Sequence, residues 1–156
     1  MENKIGIIGG GNVAMDIGRI LLEPNLLKTT CIDSRFLGTQ KAKEIHYFIR
    51  RGPLDLPCTT RELRELFSRP VLNRVEIHGL ENSLSSLDEY KKLQKSKKLP
   101  DRKTKRLLKV LADNADKKTN ERSDKIVNFH FYTSPKIIEE HSDALFVKGV
   151  VIIQLK

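Results

Sequence analysis

The chain has no tryptophan, only two cysteines and two methionines, and few aromatic residues. It also lacks any apolar run near the ~20 residues of a membrane span, so no transmembrane helix is expected. Cys31 and Cys58 lie far apart and outside any C-x-x-C or Cys/His ligand pattern, which excludes a disulfide-stapled scaffold and points to free thiols in a reducing compartment. His46, His78, His130 and His141 are scattered without metal-ligand spacing, so no metal centre is expected. No internal repeat is present. The N-terminus enters an apolar stretch almost at once, and neither a signal peptide nor a transit peptide is expected. At 156 residues the chain suits one cored domain rather than two.

Positive charge is abundant but local. Of a net +9, the whole surplus lies between Lys91 and Lys125, where fourteen Lys or Arg face five Asp or Glu, while the remainder carries fifteen of each sign. Such a segment is either an electrostatic footprint for an acidic partner or a solvated insert. Nucleic acid is not the expected partner, because the run has no aromatics to stack bases apart from Tyr90 at its edge, and no recognised motif accompanies it.

The most informative stretch is KIGIIGGGNVAMDIGR, Lys4 to Arg19. Ile5, Ile7 and Ile8 suit a short buried parallel strand. Gly9, Gly11 and Ala14 follow with G-x-G-x-x-G/A spacing, which serves a tight turn, close backbone approach of a pyrophosphate, and close packing of helix on strand. From Asn12, Val13, Ile17, Ile20 and Leu21 recur at helical spacing and predict a helix with that face buried, stopped at Pro24. A helix starting there turns unpaired N–H groups and its positive dipole end toward the glycines, a site that suits a diphosphate.

Beyond an irregular stretch to about Gln40, Ile45, Tyr47 and Ile49 alternate with His46 and Phe48 in a second strand closed by Gly52-Pro53. Thr59-Thr60-Arg61-Glu62 has the capping-box form T-x-x-E and predicts a helix with Leu63, Leu66 and Phe67 on its apolar face. Val75 to His78 suits a third strand. Ser85 to Lys98 is a polar helix candidate, and Arg102 to Ala112 an amphipathic helix burying Leu107, Val110 and Leu111. Strands are expected at Ile126 to Thr133 and Leu145 to Leu155, separated by Ser134-Pro135 and Glu139-Glu140. The predicted architecture is a three-layer, Rossmann-like α/β domain with a mainly parallel central sheet and additional C-terminal β-strands.

In such a fold the end of the second strand meets the adenosine ribose, where a carboxylate selects NAD and arginine accommodates a 2′-phosphate. Arg50 and Arg51 occupy that position, and guanidinium forks suit phosphate, so NADP is the expected dinucleotide. The pair lies some forty residues past Gly9, about twice the usual interval, which requires an insertion between Asn25 and Gln40. Glu62 is either the capping-box partner of its own helix or, with that helix starting near the cofactor, a residue within reach of a ribose or nicotinamide.

Taken in order, GGGNVAMDIGRILLEP, RRGPLDLPCTTRELREL and NFHFYTSP closely resemble the NADP-binding domain of the adrenodoxin-reductase-type ferredoxin-NADP reductases, a family that includes the NADPH:adrenodoxin oxidoreductases. The resemblance covers nearly the whole chain, residues 1–156. It implies a flavoenzyme that passes hydride from NADPH to FAD and then single electrons to an acidic [2Fe-2S] ferredoxin or adrenodoxin. It also implies that Gly9, Gly11, Asn12 and Val13 hold the pyrophosphate, that Arg50 and Arg51 hold the 2′-phosphate, and that Glu62 lies near the nicotinamide ribose. Arg64, Arg102 and Arg106 match the basic face that receives the ferredoxin. Where the family usually has glycine before the arginines and an aromatic before the capping threonine, this chain has Ile49 and Cys58. No second glycine fingerprint for FAD occurs. The chain therefore reads as an NADP domain without the FAD-binding domain of the same protein, inactive as a reductase alone and binding FAD only in the full-length protein. By the same resemblance the compartment is mitochondrial if the source is eukaryotic and cytoplasmic if bacterial. The alternative reading is a stand-alone NADP-binding or sensing module with a basic protein-docking surface.

Overall fold

The computed structural model describes residues 4–31, 33, 42–79, 102–115, 122–140 and 147–154. The strands are β1 (Lys4–Ile8), β2 (Glu44–Ile49), β3 (Leu72–His78), β4 (Lys125–Phe131), β5 (Thr133–Glu140) and β6 (Val147–Gln154). The helices are α1 (Asn12–Leu22), α2 (Thr60–Phe67) and α3 (Arg102–Asn114). Strands β1 to β4 form one sheet in the order β1-β2-β4-β3 with every pair parallel, and β5 and β6 form a separate antiparallel hairpin. The parallel sheet, the three helices and a last strand within Leu145 to Leu155 are those the sequence predicts. Of the three layers expected, the sheet and one helical layer are described. The helix candidate at Ser85 to Lys98 and half of the proposed insertion lie outside the described residues.

Alternation decides which face is buried. Ile45, Tyr47 and Ile49 of β2 join Val127, Phe129 and Phe131 of β4 and Val75 of β3 in one core with Leu63, Leu66 and Phe67 of α2 and Leu107, Val110 and Leu111 of α3. Tyr47 stacks on Phe129 with centroids 4.9 Å apart, and Phe67 meets Phe129 edge-on at 5.8 Å. The opposite strand positions carry Glu44, His46 and Phe48 on β2, His130 on β4, and Glu76 and His78 on β3.

Two expectations are corrected. On α1 the buried residues are Met15, Gly18 and Leu22, whereas Val13 and Ile17 stand 70% and 44% exposed. The reason is close helix–sheet contact at Gly18: a Cβ there would fall 1.8 Å from the Tyr47 hydroxyl oxygen, so the helix turns this face to the sheet. Gly18 is thus a residue whose small size brings helix and strand together, while Ala14 is partly buried against the same core. The second correction is at the C-terminus. The segment from Ser134 to Glu140, expected to separate two strands, belongs to β5, and Pro135 is tolerated because the register shifts between Pro135 and Ile137.

Candidate functional site

All four parallel strands end on one side of the sheet, and the predicted binding residues gather there. After β1 the chain turns through Gly9, whose φ of +118° is open to glycine alone among common residues, and whose N–H donates to the Phe48 carbonyl at 2.9 Å. That bond extends the β1–β2 ladder by one step and holds the glycine turn beside Arg50 and Arg51. Gly10 packs inward, where a Cβ would come within 2.7 Å of Leu56 Cδ1. Gly11 is different. A Cβ on it would meet nothing within 4 Å, so the loop is open on the side away from the core.

Gly11 is also the N-cap of α1, and no side chain caps it. The first intrahelical bond runs from Met15 N–H to the Gly11 carbonyl, so the amides of Asn12, Val13 and Ala14 precede the helical ladder, and the first turn holds no acidic residue. An open glycine at an uncapped helix N-terminus offers amide donors and a positive dipole end to an anion, which fits a pyrophosphate.

The second wall is the segment from Arg50 to Glu62. Both arginines are exposed, Gly52 and Pro53 are buried, and a 3-10 turn at Pro53–Asp55 leads through buried Leu56 and Cys58 to α2. Thr59 caps α2 by accepting the Glu62 N–H at 3.3 Å, as the sequence predicts. The reciprocal half of the capping box is absent, because the Thr59 N–H donates instead to Asn12 Oδ1 at 2.8 Å. Among the described residues the half-buried Glu62 carboxylate therefore takes no hydrogen bond, and it stands on the first turn of a helix tied directly to the start of α1. Burial, reinforced by the Glu62 carboxylate, pushes the Cys58 thiol up to about 12, so this cysteine stays protonated and is no nucleophile.

A second tie fixes the two helices lower down. Arg19 of α1 donates to Glu65 of α2 at 2.5 Å and to Asp16 at 2.5 Å, and Arg61 donates to Glu65 at 2.9 Å. The structure thus brings together Gly9, Gly11, Asn12, Val13, Arg50, Arg51 and Glu62. It places Arg64 on the exposed side of α2, and Arg102 and Arg106 on the exposed side of α3, with Lys103, Lys105 and Lys109. The sequence gives no sign of the Asn12–Thr59 bond, since it joins residues 47 positions apart.

The parallel sheet, the glycine turn and the helix that follows it define a Rossmann-like α/β domain. No family model matches the chain. It is 32% identical to a probable mitochondrial NADPH:adrenodoxin oxidoreductase of Dictyostelium discoideum over 99% of its own length and 30% of that protein. It is 30% identical to the mitochondrial NADPH:adrenodoxin oxidoreductase of Salvelinus fontinalis over 92% of its length and 29% of that protein. The structure of Mycobacterium tuberculosis FprA in complex with NADPH matches 96% of this chain and 31% of that one, with 30% identity and a TM-score of 0.74. Over nearly its whole length the chain is similar to NADPH:adrenodoxin oxidoreductases, and it spans just under a third of the length of these relatives.

Proposed function

We propose that this chain is the NADP(H)-binding domain of a flavoprotein ferredoxin or adrenodoxin reductase. The observation that carries the reading is the adjacency of two anion sites: the open Gly11 cradle at the N-terminus of α1, and the exposed Arg50–Arg51 pair, held beside it by the bond from Gly9 to Phe48. A dinucleotide with a pyrophosphate and a 2′-phosphate has two anionic centres to match. The relatives named as NADPH oxidoreductases, and the FprA chain solved with NADPH, support the same assignment.

In this reading the amides after Gly11 hold the pyrophosphate, with Asn12 and Val13 lining the cradle. Arg50 and Arg51 donate to the 2′-phosphate, and the Glu62 carboxylate accepts from a hydroxyl of the nicotinamide ribose. FAD, bound by a separate domain of the full-length protein, supplies the step that accepts hydride from NADPH and releases single electrons. Arg64, Arg102 and Arg106 face outward on neighbouring helices and steer an acidic [2Fe-2S] ferredoxin or adrenodoxin. The compartment is mitochondrial in a eukaryotic source and cytoplasmic in a bacterial one, and without the flavin domain the chain binds cofactor but transfers no electrons. The test is a titration of this chain with NADPH and NADH. Preferential binding of NADPH is expected, and equal or absent binding of the two would refute the assignment.

A further inference from the structure

Tyr132 is the one residue other than glycine with positive φ among the described residues, at +55°. A bulky L-residue adopts this conformation only where its surroundings over-determine it. Those surroundings are visible. Thr133 Oγ1 donates to the His130 carbonyl at 2.6 Å and closes the turn between β4 and β5. Gly79, itself at φ +87°, leaves the space that Phe131 and Tyr132 fill from the other side: a Cβ there would come within 3.3 Å of the Phe131 carbonyl oxygen and 3.4 Å of Tyr132 Cδ2.

The conformation delivers the ring to the end of β2. A Cβ on Gly52 would fall 2.2 Å from the Tyr132 hydroxyl oxygen and 2.4 Å from Cζ, so the ring seals the backbone that directly follows Arg51. The Tyr132 N–H donates, at a long 3.5 Å, to the Arg51 carbonyl. Ring and amide thus grip the same turn from the neighbouring strand.

We propose that Tyr132 is a positioning residue for the Arg50–Arg51 pair and, through it, determines preference for a 2′-phosphorylated nucleotide. The inference rests on the reading of the arginines given above. Two exposed arginines on an unbraced loop must be ordered on every binding event, and that ordering opposes affinity. A tyrosine ring has two side-chain torsions and stiffens a backbone at low entropic cost. It fixes the direction in which both guanidinium stems leave the chain without touching the ligand.

The experiment is calorimetric titration of this chain with 2′,5′-ADP and with 5′-AMP, as wild type, Tyr132→Phe and Tyr132→Asn. Asparagine tolerates the left-handed conformation but removes the ring. Wild type and Tyr132→Phe should share one preference for 2′,5′-ADP. Tyr132→Asn should lose about tenfold of it, the ordering cost of one or two long side chains, with 5′-AMP affinity changed less than about twofold. Equal weakening toward both ligands, or an undiminished preference in Tyr132→Asn, overturns the role of Tyr132 alone. A wild type without preference removes the arginine reading and this inference with it. If Tyr132→Asn shows no cooperative melt, Gly52→Ala displaces the same ring from the opposite side, and a retained preference there overturns the proposal.

Discussion

At the scale of single residues, the molecule depends on missing side chains as much as on present ones. Gly18 faces Tyr47, whose buried hydroxyl has no hydrogen-bond partner among the described residues and whose ionisation burial pushes upward. Gly18→Ala would insert a methyl into occupied space, and overpacking of this kind costs about 1 to 3 kcal/mol. That corresponds to a fall in Tm of several degrees for a domain of this size. Tyr47→Phe removes a buried polar group that gains nothing in return, so on its own it should leave Tm unchanged or raised. In the double variant the two changes should not add, because the phenylalanine vacates the space the new methyl needs. Strict additivity in thermal melts would contradict the packing described here.

At the scale of elements, the central unit is the pair α1 and α2. An eight-residue helix such as α2 is too short to persist on local bonds, so its order comes from its attachments. These are the Thr59 cap, the Asn12–Thr59 bond, the Arg19–Glu65 pair and the buried face of Leu63, Leu66 and Phe67. Asn12→Ala leaves the Thr59 N–H without its acceptor, a loss of about 1 kcal/mol. Hydrogen exchange should show protection in α2 falling about fivefold while the amides of β2 and β4 are unaffected. Asn12→Asp, which keeps the acceptor, should restore it. A uniform loss of protection across the sheet would show that the bond does not act locally.

This scale also shows what was legible in the sequence. The glycine turn, the arginine pair and the Thr59 cap were readable because each is specified by neighbours in the chain. The buried face of α1 was misread because apolar residues lie on two sides of the helix, and the deciding contact involves a glycine, which adds nothing to a hydrophobic pattern. Strand β5 was missed because Ser134-Pro135 is a breaker signal that a register shift in a two-stranded hairpin can absorb. Tyr132 was not readable, since beyond the local Thr133–His130 bond its conformation depends on Gly52 and Gly79, which follow β2 and β3.

At the scale of the whole molecule, the sheet face opposite the core carries a ladder of histidines. His130 on β4 stacks between His78 on β3, at 4.7 Å between centroids, and His46 on β2, at 5.3 Å, and His46 Nδ1 lies 3.0 Å from His130 Nε2. Burial first, then the neighbouring His78 and His46, pushes His130 down to about 4. Its folded value lies below its unfolded value of 6.5, so the unfolded chain takes up the proton first. Stability is therefore intact above that value, falls as pH drops below it, and stops falling from this source below about 4. Glu44 adds to the loss on the acid side: burial acts to raise it, but Lys4 and His46 hold it below the ordinary carboxylate range. A series of thermal melts from neutral pH down to about 4 should show a falling Tm, and His130→Phe should flatten that slope. Parallel slopes in the two proteins would place the acid sensitivity elsewhere.

The whole molecule also carries the central claim, that its two anion sites read one phosphorylated dinucleotide. The direct measurement is calorimetric titration with 2′,5′-ADP and 5′-AMP, for wild type and for Arg50→Ala/Arg51→Ala. Charge-assisted hydrogen bonds contribute about 1.5 to 3 kcal/mol each, so the wild type should favour 2′,5′-ADP by about tenfold or more, and the double variant should bind both ligands alike. An unchanged preference in the double variant, or none in the wild type, would contradict the account.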